Sequence, residues 1–253
     1  MDSRKVVFHN ADGHELAARL ELPEDPIAYA LFAHCFTCSK NYKAVTNISR
    51  ALCARGIAVL RFDFTGLGES EGEFGDTNFS TNVTDLVSAA GFLGDEYQAP
   101  KILIGHSLGG AAVLRAASQV PACVAVATIA APFDPAHLAG LLAPVRAVIE
   151  ERGEAEVVIG GTRFRIKKQF LDDLEESGMR QAIRELGRAL LVFHSPADTV
   201  VGIESAQNIF LTARHPKSFV SLDRADHLLL DESDSRYVGE VISAWAGKYV
   251  AKP

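Results

Sequence analysis

KILIGHSLGGAAVL, residues 101–114, is the stretch whose reading decides the fold of this chain. Its apolar run Ile102, Leu103, Ile104 reads as a buried strand, and the small-residue run after Ser107 reads as a helix. Between them, Gly105-His106-Ser107-Leu108-Gly109 spells G-x-S-x-G, and a further glycine, Gly110, follows. A serine on a sharp strand-to-helix turn takes strained backbone angles, so the positions two before and two after it must be small. Gly105 and Gly109 meet that demand. The turn also aims the serine oxygen outward at a helix N-terminus, where backbone N–H groups can face a developing anion. Ser107 is therefore the candidate nucleophile, with Gly105, His106 and Gly109 shaping its site. The plain alternative is a tight turn without chemistry.

Outward from this stretch, apolar β-type runs alternate with helical spacing. The runs are 28–35, 58–64, 101–105, 124–130, 189–194 and 218–222; segments 42–55, 81–97, 108–120, 202–213 and 235–250 carry helical spacing. Segments 6–9 and 15–22 flank the turn signal Asn10-Ala11-Asp12-Gly13 and read as an antiparallel hairpin. Near-continuous apolar strands separated by helices imply an α/β fold: a mostly parallel sheet of about eight strands with helices on both faces. Reactive groups in such sheets gather at the carboxyl ends of strands.

One stretch breaks the alternation. Residues 134–188 hold amphipathic helical segments at 137–152, 168–177 and 179–186. Between them, 156–159 and 162–166 flank Gly160-Gly161 and read as a short β-hairpin. A long structured insertion at the carboxyl edge of a sheet reads as a lid over a site. Arg163, Arg165, Lys167 and Lys168 are expected to form a solvated hairpin face.

Length and composition narrow the class. The 253 residues suit a single domain, 1–253, and a hydrophobic content of 48% supplies a sizeable core. A net charge of −7 with both signs interspersed argues against nucleic acid as a partner. No apolar run approaches the ~20 residues that span a bilayer. The opening MDSRKVVFHN lacks a basic-then-apolar signal pattern, so the expected location is cytoplasmic. The four cysteines, Cys35, Cys38, Cys53 and Cys123, are then expected to be thiols.

A serine hydroxyl is a poor nucleophile at neutral pH and needs a histidine base, itself oriented by a carboxylate. Of the eight histidines, His227 alone lies in the loop after a late strand and before the last helix. His9 and His14 fall in the first hairpin, His215 precedes its strand, His137 falls in the insertion, and His194 ends a strand as a packed group. Asp198, directly after the 189–194 run, is the candidate acid; Asp226 and Asp223 are its rivals. An oxyanion site needs two donors. Leu108, after the nucleophile, supplies one, and the loop His34-Cys35-Phe36-Thr37-Cys38-Ser39 supplies the other.

Together these elements resemble the α/β-hydrolase superfamily over essentially the whole chain. The wording HCFTCSK, RFDFTGLGES, GHSLGG, HSPADTVV and ADHLL is similar to the hydrolase half of bacterial fusions that carry a C-terminal domain like osmotically inducible protein C. The resemblance implies Ser107 as nucleophile, Asp198 as acid, His227 as base and the amides of Phe36 and Leu108 as oxyanion donors, with His34, Cys35 and Cys38 shaping the loop. It also implies such a partner domain in a longer parent protein. Superfamily members usually carry His-Gly-X at this loop, and Cys35 stands in place of that glycine, so a positive φ there would strain it. Asp63, in the segment RFDFTGLGES, reads as a structural hydrogen-bonding carboxylate.

The expected activity is a carboxylesterase acting on small or medium acyl esters, with no cofactor or metal. The same residues would serve a thioesterase, an amidase or peptidase, a lactonase or a perhydrolase. Two other classes compete. Cys35-x-x-Cys38 just after a strand is a setting for thiol redox chemistry, and a disulfide there is expected to distort the loop and switch the esterase off. A non-catalytic scaffold would show loss of Ser107, Asp198 or His227, and all three are present.

Overall fold

The computed structural model describes residues 2–136, 140, 142–159, 161–176 and 178–251. The first six strands are β1 (Asp2–His9), β2 (Glu15–Leu22), β3 (Ala28–Ala33), β4 (Ile57–Phe62), β5 (Ile102–His106) and β6 (Ala125–Ile129). The insertion carries β7 (Glu154–Ile159) and β8 (Thr162–Lys167), and β9 (Ala189–His194) and β10 (Lys217–Ser221) follow. The main sheet has eight strands in the order β1-β2-β4-β3-β5-β6-β9-β10, while β7 and β8 form a separate antiparallel pair. β1, β2 and β4 pair antiparallel, and every pairing from β4 to β10 is parallel.

Every residue of β3, β4, β5, β6 and β9 is buried, as strands covered on both faces must be. Because successive side chains point to opposite faces, neighbours on one strand belong to different core layers. Leu31, Leu103 and Val126 pack in one layer against α2 (Phe79–Glu96) and α3 (Leu108–Ala116). Phe32, Ile104 and Ala127 pack in the other against α1 (Lys43–Cys53) and the last helix (Glu232–Val250). A fully buried Leu103 or Ile104 contributes about 1.5–3 kcal/mol. No helix among the described residues is long and apolar enough to cross a membrane.

Helix starts depart from the expected boundaries where a cap fixes them. Helix α2 begins at Phe79 rather than 81, because the Asn78 side chain accepts from the Thr81 N–H in a reciprocal capping box. The last helix begins at Glu232 rather than 235, because Asp231 accepts from the Ser233 N–H. In the insertion, α4 (Ala143–Arg152) starts later than the expected 137, with Pro144 in its first turn; residues 137–139 and 141, His137 among them, lie outside the described residues. The helices α5 (Lys168–Glu175), α6 (Met179–Arg184), α7 (Glu204–Thr212) and α8 (Glu232–Val250) complete the order.

Parallel register brings the strand ends to one level. Ala33 pairs with Gly105, His106 with Ile129, Ile129 with Phe193, and Ser221 with His194. The loops that follow β3, β5, β9 and β10 therefore open side by side.

Candidate active site

Ser107 joins β5 to α3 at φ 54°, ψ −124°, a conformation that side chains other than glycine rarely take. The two glycines flanking it are required by backbone, not by side chains. A Cβ on Gly105 would sit 2.2 Å from the Gly109 carbonyl oxygen, and one on Gly109 would sit 2.4 Å from the carbonyl oxygens of Ala33 and His34. The elbow thus touches the start of the 34–39 loop backbone to backbone. The Ser107 N–H donates to the Ile129 carbonyl at 2.8 Å, which ties the turn to β6.

The structure brings the three expected side chains together. The Ser107 hydroxyl lies 3.0 Å from His227 Nε2, and His227 Nδ1 lies 2.7 Å from Asp198 Oδ2. Asp198 Oδ1 accepts the N–H groups of Val200 at 2.8 Å and Val201 at 2.9 Å, so one oxygen is anchored while the other faces the imidazole. Burial pulls the Asp198 carboxyl upward, but the hydrogen bonds from His227 and the two amides outweigh it and hold the group below its ordinary value. The rivals are elsewhere. Asp226 is exposed and accepts the N–H groups of Leu228 and Leu230, and Asp223 is exposed at φ 47°.

Three buried histidines surround this relay. His106 Nε2 donates to the His227 carbonyl at 2.7 Å, which holds the base's backbone from the elbow itself. Burial, followed by proximity to His227, pushes His106 down to about 3, so it stays neutral. His194 Nε2 donates to the Val201 carbonyl at 2.7 Å and lies 3.6 Å from Asp198 Oδ2; it orders the loop that carries the acid. His34 Nδ1 donates to the Cys35 carbonyl at 2.8 Å, and burial lowers its proton affinity as well. Sequence reading placed His194 as a packed group, which the contacts bear out, but it missed the hold of His106 on His227.

The loop after β3 differs from expectation in two ways. Cys35 does not take the positive φ that a glycine substitute would; Thr37 does, at 61°. Cys35 and Cys38 are not thiols but a disulfide, because the turn between them brings their Cα atoms to 5.3 Å, within bonding range. Cys53 and Cys123 remain free and buried, and burial pushes the Cys123 thiol up to about 11. The far end of the loop is pinned by Lys40, which is buried. Its Nζ donates to Asp63 and Glu69, and its N–H donates to Asp63 Oδ1 at 2.6 Å. Asp63 is thus a structural carboxylate, as expected. Among the described residues, neither the Phe36 nor the Leu108 amide has a hydrogen-bond acceptor, and both residues border one small pocket.

Ser107 and His227 open into a cleft of about 1290 Å³ that also exposes Phe36, Phe74 and Phe164. The ring of Phe36 packs 5.6 Å from Phe74 and 5.4 Å from Phe170, and Phe74 packs 5.0 Å from Phe164. This chain of rings joins the loop after β3 to β8 and α5 of the insertion. The hairpin is therefore not simply a solvated face. Arg163 and Arg165 are exposed, but with Lys167 they line the cleft, and Lys167 pairs with Asp76; Lys168 instead pairs with Asp172 on its own helix. Among the described residues, no group of three or more His, Cys, Asp or Glu side chains is gathered as a metal site.

Residues 30–249 match the family described as the alpha/beta hydrolase family. The esterase domain of a Rhodothermus marinus protein is 53% identical, with a TM-score of 0.80 over 99% of this chain and 100% of that one. Est1E from Butyrivibrio proteoclasticus, solved with ferulic acid bound, superposes with a TM-score of 0.79 over 98% of this chain and 100% of that one. At 19% identity it is a likeness of fold alone. The mitochondrial palmitoyl-protein thioesterase ABHD10 of Mus musculus is 26% identical over 187 residues, covering 71% of this chain and 62% of that protein.

Proposed function

The chain belongs to the alpha/beta hydrolase family, and on that premise we propose that it is a serine hydrolase, a carboxylesterase for small or medium acyl esters. The observation that carries this reading is the unbroken relay from Ser107 through His227 to an amide-anchored Asp198, with Ser107 facing an open cleft. In the proposed reaction the Ser107 hydroxyl attacks the ester carbonyl while His227 Nε2 takes its proton. Asp198 stabilises the imidazolium that results, and the amides of Phe36 and Leu108 receive the oxyanion. His227 then protonates the departing alcohol. A water, activated by the same imidazole, attacks the acyl-enzyme and releases the acid.

The Rhodothermus marinus esterase domain supports the ester as the scissile bond. Residues 134–188 act in this reading as a lid, because their hairpin and the Phe36–Phe74–Phe164 rings frame the cleft above Ser107. The C-terminal partner domain belongs to the same proposal and rests on the wording of the sequence. A thioester is the second reading, favoured by the likeness to the mouse thioesterase. A chain-length series of p-nitrophenyl esters beside matched acyl thioesters separates the two. Ser107→Ala should abolish turnover of whichever series is cleaved while the circular dichroism spectrum is kept; unchanged turnover would overturn the proposal.

A further inference from the structure

The loop that carries Phe36 is held by polar contacts at both ends; in its middle the Phe36 ring rests on Phe74 and Phe170, but among the described residues the Phe36 and Thr37 backbone makes no hydrogen bond outside the turn. At its start, His34 donates to the Cys35 carbonyl; at its end, Lys40 is locked into the buried carboxylate of Asp63. Between the anchors the Cys38 N–H bonds the Cys35 carbonyl at 3.1 Å, closing a four-residue turn around Phe36 and Thr37. The third residue of that turn, Thr37, sits at φ 61°. Turns of this kind favour glycine or asparagine there, and a β-branched residue is among the least suited. The Thr37 hydroxyl donates to the Phe36 carbonyl at 2.6 Å, a bond within the turn that does not tie it to the rest of the fold. The cross-link that closes the turn is the Cys35–Cys38 disulfide, which spans its first and last residues.

We propose that Cys35 and Cys38 are positioning residues whose disulfide holds Thr37 left-handed, keeps the Phe36 amide aimed at the oxyanion, and makes catalysis dependent on redox state. This rests on the proposed role of Phe36. Cys35 and Cys38 both line the cleft with Ser107, but Cys35 is buried and Cys38 only half-buried, so Cys38 is the sulfur more open to a reductant entering the cleft. One thiolate of a dithiol attacks the Cys38 sulfur, breaks the disulfide, and releases Cys35, which takes up a proton. The second thiolate then displaces Cys38. The protein gains two electrons and two protons as two thiols, and the dithiol leaves as its own cyclic disulfide. With the clamp open, Thr37 relaxes toward a negative φ and the Phe36 amide turns away from the oxyanion. This is the opposite of the expectation that a disulfide here disables the site, and the relay and the elbow are assembled with the disulfide in place.

The test follows kcat and KM on p-nitrophenyl butyrate for the untreated enzyme, after dithiothreitol, and after reoxidation with diamide. Iodoacetamide labelling under native conditions and mass spectrometry count the Cys35 and Cys38 thiols in each state. The untreated enzyme should show neither thiol labelled. Reduction should expose both and lower kcat by about tenfold or more, part of the ~10²–10³ attached to a whole oxyanion donor. KM should stay nearly constant, and reoxidation should restore kcat. Cys38→Ser should sit at the reduced level and ignore dithiothreitol. Adding Thr37→Gly to Cys38→Ser should recover part of the lost kcat, because glycine takes the left-handed conformation without the steric cost that the clamp offsets for threonine; a merely structural disulfide would show no such rescue. Labelled thiols in the untreated enzyme, the same kcat in both redox states, or no rescue by Thr37→Gly would overturn the proposal. Absence of turnover in the oxidised enzyme would overturn the hydrolase reading, and this one with it.

Discussion

Replacing Ser107 with glycine should remove the reactive hydroxyl and yet leave the protein more stable than the Ser107→Ala variant. The backbone at this position, φ 54° and ψ −124°, costs a residue with a Cβ about 1–3 kcal/mol. Alanine keeps that strain and glycine releases it. Both variants lose the same hydrogen bond to His227, so that loss cancels between them. Glycine gives back about 0.5–1 kcal/mol through its larger conformational entropy in the unfolded chain. The loss of one buried methyl offsets a little more. The balance favours glycine by about 1 kcal/mol, or roughly 2–4 °C in Tm for a chain of this size. Urea unfolding followed by circular dichroism measures the difference directly, and esterase assays should find both variants inactive. A glycine variant less stable than the alanine variant would refute the claim that the elbow stores strain at its serine.

Gly109→Ala places a Cβ 2.4 Å from two backbone oxygens that cannot give way, so it should cost about 1–3 kcal/mol or more in urea unfolding and abolish turnover by displacing the 34–39 loop. Because burial holds His106 near 3, unfolding takes up a proton at this residue when the pH lies between that value and the ordinary 6.5 of a histidine. Stability is therefore complete above that window and falls as the pH drops through it, by up to about 1.4 kcal/mol per unit for one such group. Urea midpoints at pH 7, 5.5 and 4.5 should show this slope, and His106→Asn should flatten it. Asp198→Asn leaves the anchoring amides facing a neutral side chain and the imidazole without its counter-charge. It should lower kcat by about 10⁴, measured on p-nitrophenyl butyrate.

What could be read from the sequence was what local rules dictate. Gly105 and Gly109 are small because the backbone passes through the space a side chain would fill, and that demand is visible in the spacing around Ser107. Asp198 and His227 follow β9 and β10, and the register of a parallel sheet brings such positions together. The hydrogen bond from His106 to the His227 carbonyl spans 121 positions and has no local signal. Nor does the chain of rings that turns the hairpin toward the cleft, because it depends on which faces the insertion packs. The spacing of Cys35 and Cys38 was plain, but whether they meet depends on the turn closed by the Cys38 N–H and the Cys35 carbonyl, in which Thr37 is left-handed. Nothing about a β-branched residue announces that conformation.

The central claim is that Ser107 is the nucleophile. Treating the enzyme with a fluorophosphonate and mapping the adduct by peptide mass spectrometry tests it most directly. The account predicts one adduct per chain, on Ser107 within GHSLGG, formed in step with loss of ester turnover, and slowed sharply in His227→Ala. An adduct on another residue, or ester turnover that persists with Ser107 fully modified, would contradict it.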